Sequence, residues 1–463
     1  MGHLLSTIEF AKLIIKHNPN ISILVIIFDI PAFSITAVES YIDSQSRELD
    51  TNRFTFMTLP PLSNPPDPSS PTFFRAVIDL QKPLVEQALA ARSTKPAAFV
   101  VDMLCVTMID IANELGVPSY IYFTAGMSLL NIMLHFQAIA DDKGVDALIE
   151  LNKSGTELDL PGFREKVPMA QVLPMMFSDP ESGWFNLILD LARMFQNAKG
   201  ILVNTFMELE SYAVEALNNN QNITAYPVGP ILMLDDAGSH KEDRDSIMRW
   251  LDAQPPSSVV FLCFGSMGSF DEDQVKEIAH GLEQSAHRFL WSLRRPSSGD
   301  KFGPPSENET FEEALPEGFL DRTAHRGKII GWAPQAQILG HQAVGGFVSH
   351  CGWNSILESM WFGVPIATWP IYSEQQLNAF ELVKELQLAV EIRMDYQKDL
   401  KKNIANFTVM AEEVKSGVNK LMGMDDQMKG KIREMSDKSR KGLENGGSSH
   451  NWLTRFITEV LDE

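Results

Sequence analysis

Two hydrophobic rhythms run through this chain. Leu4, Leu5, Ile8, Ala11 and Ile15 recur at the spacing of one helix face, so a helix is predicted from about Leu4, entered from Gly2-His3. The unbroken apolar run ISILVIIF (21–28) has the length and β-branched content of a buried strand. A Pro-rich loop, LPPLSNPPDPSSP, then leads into the helical RAVIDLQKPLVEQALAA. The same exchange follows in AAFVVDML (strand), IDIANEL (helix), SYIYFT (strand), a long apolar helix, GILVNTF (strand) and MELESYAVEALNN (helix). The polar stretch LMLDDAGSHKEDRDS interrupts it. Strands then resume as SVVFLCFG, HRFLWSL, RGKIIGW, AVGGFVSH, VPIATWP and LAVEIR, with helices between them. This order predicts an α/β protein of two doubly wound parallel-sheet domains. Their ligand cleft is expected outside the carboxyl ends of the strands. The boundaries drawn are 1–235 for the first domain, 236–247 for a linker and 248–445 for the second. A terminal helix, 446–463, follows a Gly-Gly break and is expected to pack back on the first domain.

Composition narrows the function. At 463 residues the chain exceeds what one core usually supports. A formal charge of −21 argues against nucleic acid as a partner, while a small anion remains possible at backbone N–H groups. The three cysteines are too few and too odd in number for a disulfide framework, which suits a reducing, cytoplasmic compartment. No apolar run approaches the roughly 18–20 residues of a membrane span.

The densest chemistry lies in WAPQAQILGHQAVGGFVSHCGWNSILESMWFGVPIATWPIYSEQQ. GGFVSH reads as a strand, and a helix is predicted to start at about Asn354 or Ser355, both good caps. A strand, a glycine turn and a helix start together offer free N–H groups and a positive dipole end to a phosphate. His350, Asn354 and Ser355 add donors, and Glu358, one turn on, suits a ribose diol. Trp332, at the end of KIIGW, can stack on a flat base. Glu374 and Gln375 open the next helix, where they can read sugar hydroxyls.

Taken together, these residues resemble the signature of the plant family 1 UDP-sugar glycosyltransferases. WAPQ, HCGWNS, the glutamate four positions beyond Asn354 and the closing EQ fall in register over the 44 residues from Trp332 to Gln375. VVDML, YFTAG, NTFMELE, PVGP and FGSMGSF extend the likeness over nearly the whole chain. The resemblance implies the GT-B architecture of two facing Rossmann-like domains and inverting transfer of glucose from UDP-glucose. The acceptor would be a hydroxyl of a small lipophilic compound such as a flavonoid, other phenolic or terpenoid. It implies that Trp332 stacks the uracil, the Ala333 backbone reads its edge and Gln335 shares that site. Glu358 would hold the ribose, and Ser266, His350, Asn354 and Ser355 the diphosphate. Trp353, Glu374 and Gln375 would hold the glucose, with Thr124 reaching it from the other domain. His3 would be the general base and Asp102 its orienting carboxylate. No cofactor or metal, no membrane span and a monomer are expected.

Blander readings stand beside these. Asp243-Arg244-Asp245 and Asp271-Glu272-Asp273 look like metal-binding DxD motifs but precede helices, where acids complement the dipole. His350-Cys351 lacks a second pair at zinc spacing. The Met- and Phe-rich 123–136 reads as packing; Met103, Leu104, Phe123 and Met127 are expected to border an acceptor site. The family carries a strand and a Pro/Gly loop before its Gly-His, and neither precedes Met1 here. Unpaired strand edges and a loosely held His3, tethered by Asp102, are therefore expected. The alternative reading is a nucleotide-sugar-binding protein with little or no transfer activity; a nucleotide-sugar hydrolase or epimerase fits the box less well.

Overall fold

The structure, a computed structural model, describes residues 2–28, 30, 41–42, 52–67, 70, 72–92, 94–169, 174, 176, 183–220, 223–234, 241–296, 311–399 and 404–462. The proposed linker positions 236–240, and 68, 69 and 71 of the Pro-rich loop, lie outside the described residues. Two compact units emerge: 1–164 with 175–233 and 440–463, and 165–174 with 234–439. Residues 165–174 thus group with the second unit rather than the first. The Glu165 N–H donates to Glu385 of that unit at 3.1 Å. The helix Lys241–Asp252 occupies seven of the twelve positions read as linker, because its acidic first turn complements the helix dipole.

In the first unit, helix α1 (Gly2–His17) precedes strands β1 (Ile23–Ile27) and β2 (Phe54–Thr58), which form a two-stranded parallel sheet. Strands β3 (Phe99–Asp102), β4 (Ser119–Phe123), β5 (Gly200–Val203) and β6 (Thr224–Pro227) form a separate parallel sheet in that order. Among the described residues no ladder joins the two sheets. Helix α1 serves both. Ile8 and Ala11 pack with Val25, Ile27 and Phe54, while Phe10 and Ile14 join Tyr120, Tyr122, Leu202 and Tyr226. The Phe10 and Tyr122 rings stack at 4.7 Å, and Ser6 Oγ hydrogen-bonds the Tyr122 phenol at 2.7 Å. These anchors draw the Gly-His pair into the first helical turn, so the helix begins at Gly2 and not near Leu4. The C-terminal helix Ser448–Leu461 adds Leu453, Phe456 and Ile457 to the same cluster.

Among the described residues, the main sheet of the second unit holds six parallel strands: β7 (Val259–Cys263), β8 (Arg288–Ser292), β9 (Gly327–Ile330), β10 (Val344–Ser349), β11 (Ile366–Thr368) and β12 (Ala389–Glu391). Their order is β9-β8-β7-β10-β11-β12. That is the doubly wound nucleotide-binding order, whose switch point falls between β7 and β10. Here Leu262 faces Val348 and Cys263 faces Ser349. Every residue of β7 is buried, which explains its continuous apolar run. Helix α2 (Glu272–Ser285) follows β7, and the Asp271 carboxylate accepts from the Gln274 N–H as its cap.

Candidate active site

The carboxyl ends of β7 and β10 bring two glycine turns around one imidazole. A Cβ added at Gly265 would lie 2.4 Å from His350 Nε2, and one at Gly352 2.5 Å from the same atom. Gly265 has φ +75 and Cys351 φ +62. The left-handed backbone at Cys351 costs about 1–2 kcal/mol and is pinned on both sides. Its N–H donates to Ser349 Oγ at 3.1 Å, and its carbonyl accepts from Asn378 Nδ2 at 2.9 Å. Helix α3 (Trp353–Phe362) starts directly after Gly352, which is its N-cap. Asn354 and Ser355 therefore stand inside the first turn rather than at the cap: the close approach of His350 leaves room only for glycine there.

His350 is buried, and its pKa is pushed down to about 4. Burial is the main cause and the Arg294 charge adds to it, while a hydrogen bond to the Cys263 backbone works the other way. The ring is neutral at pH 7 and carries one N–H, which can serve an anion without adding a charge only in the tautomer that does not spend it on the Cys263 backbone. Among the described residues, His350 Nδ1 and Asn354 Oδ1 are buried with no hydrogen-bond partner.

A second cluster lies on the same side of the sheet. Gln335, first residue of the helix Gln335–Leu339, donates through Nε2 to Ser355 Oγ at 2.8 Å and Glu358 Oε2 at 2.7 Å. Glu358 is thereby fixed in a buried position. Trp332 lies two residues beyond β9, and its ring is 36% exposed although large apolar side chains are usually covered. Arg294, two residues beyond β8, holds its guanidinium 5.5 Å from the Trp332 centroid. Ala333 and Trp353 are buried, and Ser266 follows Gly265 in the β7–α2 turn.

Helix α4 (Gln375–Phe380) follows β11, with Glu374 as its N-cap. The Gln375 amide oxygen accepts the Ile371 and Tyr372 N–H groups at 2.9 and 3.1 Å. Its amide also hydrogen-bonds the Tyr372 phenol. Towards a sugar this side chain offers N–H donors, not the paired donor and acceptor expected of a free amide. Glu374 accepts from Ser373 Oγ at 2.5 Å.

In the first unit, His3 Nδ1 lies 2.8 Å from Asp102 Oδ2. A carboxylate only accepts, so Nδ1–H donates and the lone pair of the neutral ring sits on Nε2. The other Asp102 oxygen accepts the Leu104 N–H at 2.9 Å, which fixes the carboxylate at the end of β3. Thr124 Oγ1 stands 3.3 Å from His3 Nδ1, so Thr124 accompanies this pair. The acceptor-side expectation is corrected in part. Phe123 and Met127 are fully buried, Phe123 edge-on to Phe195 at 5.8 Å, so they are core. Leu104 instead lines a small cavity with Phe74, Ile78, Val106, Leu187 and Met194, and with the polar Arg75, Thr107 and Asp190.

Arg294 escaped the sequence reading. Its signal was an arginine directly after an apolar strand, in HRFLWSLRR.

Comparison with known proteins bears on these arrangements. A profile of the family described as UDP-glucoronosyl and UDP-glucosyl transferase matches residues 198–424. The UDP-glucose flavonoid 3-O-glucosyltransferase 6 of Fragaria ananassa is 47% identical, over 99% of this chain and 96% of its own. The anthocyanidin 3-O-glucosyltransferase 1 of Manihot esculenta is 45% identical over 100% of both. A UGT transferase from Siraitia grosvenorii, solved with UDP, superposes with a TM-score of 0.87 at 44% identity, covering 99% of this chain and 97% of that one. UGT71G1 of Medicago truncatula, solved with UDP-glucose, gives 0.84 at 37% identity, covering 99% and 96%. The fold is of the GT-B class. With a nucleotide-binding strand order, a neutral imidazole between two glycine turns and relatives matched from end to end, the chain belongs to the plant family 1 UDP-glycosyltransferases, as a UDP-glucose-dependent enzyme.

Proposed function

We propose that this enzyme, a cytoplasmic monomer, transfers glucose from UDP-glucose to a hydroxyl of a small lipophilic acceptor, a flavonoid, other phenolic or terpenoid, with inversion. The observation that carries the mechanism is the His3–Asp102 hydrogen bond at 2.8 Å. The acceptor hydroxyl loses its proton to His3 Nε2 as its oxygen attacks the anomeric carbon. Asp102 holds the tautomer and stabilises the imidazolium, as in a triad. The C1–O bond to the diphosphate breaks as the new bond forms through an oxocarbenium-like state, giving the β-glucoside. UDP leaves onto Ser266, His350, Asn354, Ser355 and the start of α3, and no step requires a metal. Trp332 stacks the uracil, with the Ala333 backbone and Gln335 at its side, and Glu358 takes the ribose diol. Trp353, Glu374 and the Gln375 amide position the glucose, and Thr124 keeps the His3 ring in place. The flavonoid and anthocyanidin acceptors named for the relatives support the acceptor class.

Incubation of the chain with UDP-glucose and a panel of flavonoids, simple phenols, terpenoids, sugars and peptides, read by mass spectrometry, tests this. Glucosides of the lipophilic hydroxyl compounds are expected. Glucosylation of sugars or peptides alone would refute the acceptor class. UDP binding with no transfer to any compound would favour a nucleotide-sugar-binding protein.

A further inference from the structure

Arg294 sits where three parts of the donor half meet. It is buried, 5% exposed, beyond the carboxyl end of β8. Its guanidinium lies 5.5 Å from the Trp332 centroid, within cation–π range. Its Nη2 donates to the Gly265 carbonyl in the turn that packs on His350. Its charge reaches both His350 and Tyr372, lowering the tendency of each to hold a proton. One guanidinium therefore touches the base platform and the phosphate turn, and its field extends to the sugar loop. A nucleoside diphosphate would bring two negative groups to this turn, beside the Arg294 guanidinium that already holds the Gly265 carbonyl. The other donors there, His350, Asn354 and Ser355, are neutral.

We propose that Arg294 is a further donor-site residue, bracing one face of the Trp332 indole and supplying the positive charge that offsets the UDP diphosphate. This rests on the donor-site reading above. The residue does not touch the reacting carbon; it positions the indole and balances the leaving group.

The test is calorimetric titration of the full chain with UDP and, by competition, with uridine, for wild type, Arg294→Gln and Arg294→Lys. Loss of one charge-assisted contact predicts about tenfold to hundredfold weaker UDP binding by Arg294→Gln. Uridine, which has no phosphate, should weaken by less than about threefold. Arg294→Lys keeps the point charge but loses the planar contact with Trp332, so its UDP affinity should fall between those of Arg294→Gln and wild type. The salt dependence of UDP binding should flatten in Arg294→Gln and persist in Arg294→Lys. The kcat/KM for UDP-glucose should fall in parallel with UDP affinity. Equal weakening of UDP and uridine, or unchanged UDP binding, would overturn the proposal while leaving the donor site standing. If Arg294→Gln does not fold, a folded Arg294→Lys that has lost UDP binding overturns it instead. A wild-type chain that binds no UDP overturns both readings.

Discussion

Gly265→Ala is the most informative small change, because two separate costs fall on it. At φ +75 an alanine is strained by about 1–2 kcal/mol. Its Cβ would also lie 2.4 Å from His350 Nε2, 2.7 Å from Cε1 and 3.0 Å from Cδ2. Carbon contacts settle at about 3.5–4.0 Å, so the ring must retreat by about 1 Å. Gly352 offers no slack, since its own Cβ position is 2.5 Å from the same nitrogen. Overpacking of this kind adds about 1–3 kcal/mol. The total of about 2–5 kcal/mol should lower the melting temperature by about 4–15 °C. The displaced imidazole should weaken UDP binding by at least about tenfold. In a His350→Ala background the clash is gone, so the same glycine change should cost only the backbone strain of about 1–2 kcal/mol. Chemical denaturation of the four variants measures the cycle, and calorimetry measures UDP. Equal cost in both backgrounds, or a Gly265→Ala protein as stable as wild type, would refute the packing argument.

Three further outcomes are expected. The His350 imidazole titrates at an ordinary 6.5 when unfolded and at about 4 when folded, so between these values only the unfolded chain holds the proton. Stability present above pH 6.5 is therefore lost as pH falls to 4, by up to about 3 kcal/mol, and His350→Gln should remove that part of the slope; an unchanged denaturation profile would count against it. Glu358→Ala removes the carboxylate fixed by Gln335 and should weaken UDP at least about tenfold in calorimetry; binding equal to wild type would end its ribose assignment. Wild type should prefer UDP-glucose to UDP-galactose by about tenfold or more in kcat/KM, and Gln375→Ala should narrow the gap; preferential use of galactose would overturn the role of Gln375.

The second unit was the more legible half of the chain. Its central strands are buried on both faces, so SVVFLCFG and AVGGFVSH carry unbroken apolar runs. The 44-residue box places its polar residues at strand ends, where spacing is informative. What spacing could not show was where each side chain is already committed. The Gln375 oxygen is held by the Ile371 and Tyr372 N–H groups, and the Cys351 backbone lies in the left-handed region, which has no single-residue signal. Strands β2 (FTFMT) and β6 (TAYP) were missed because they are short and half polar or end in proline, and packing rather than propensity makes them strands. Phe123 and Met127 read as apolar whether they face a core or a cavity, and only the fold separates the two.

The central claim is that His3, oriented by Asp102, removes the acceptor proton. The direct test is the initial rate of glucoside formation from UDP-glucose and a phenolic acceptor by wild type and His3→Ala, with UDP binding followed in parallel and the product anomer read by NMR. The account predicts a β-glucoside from wild type, a rate lower by about 10²–10⁴-fold in His3→Ala, and UDP affinity unchanged. A His3→Ala enzyme with wild-type rate, or an α-linked product, would contradict it.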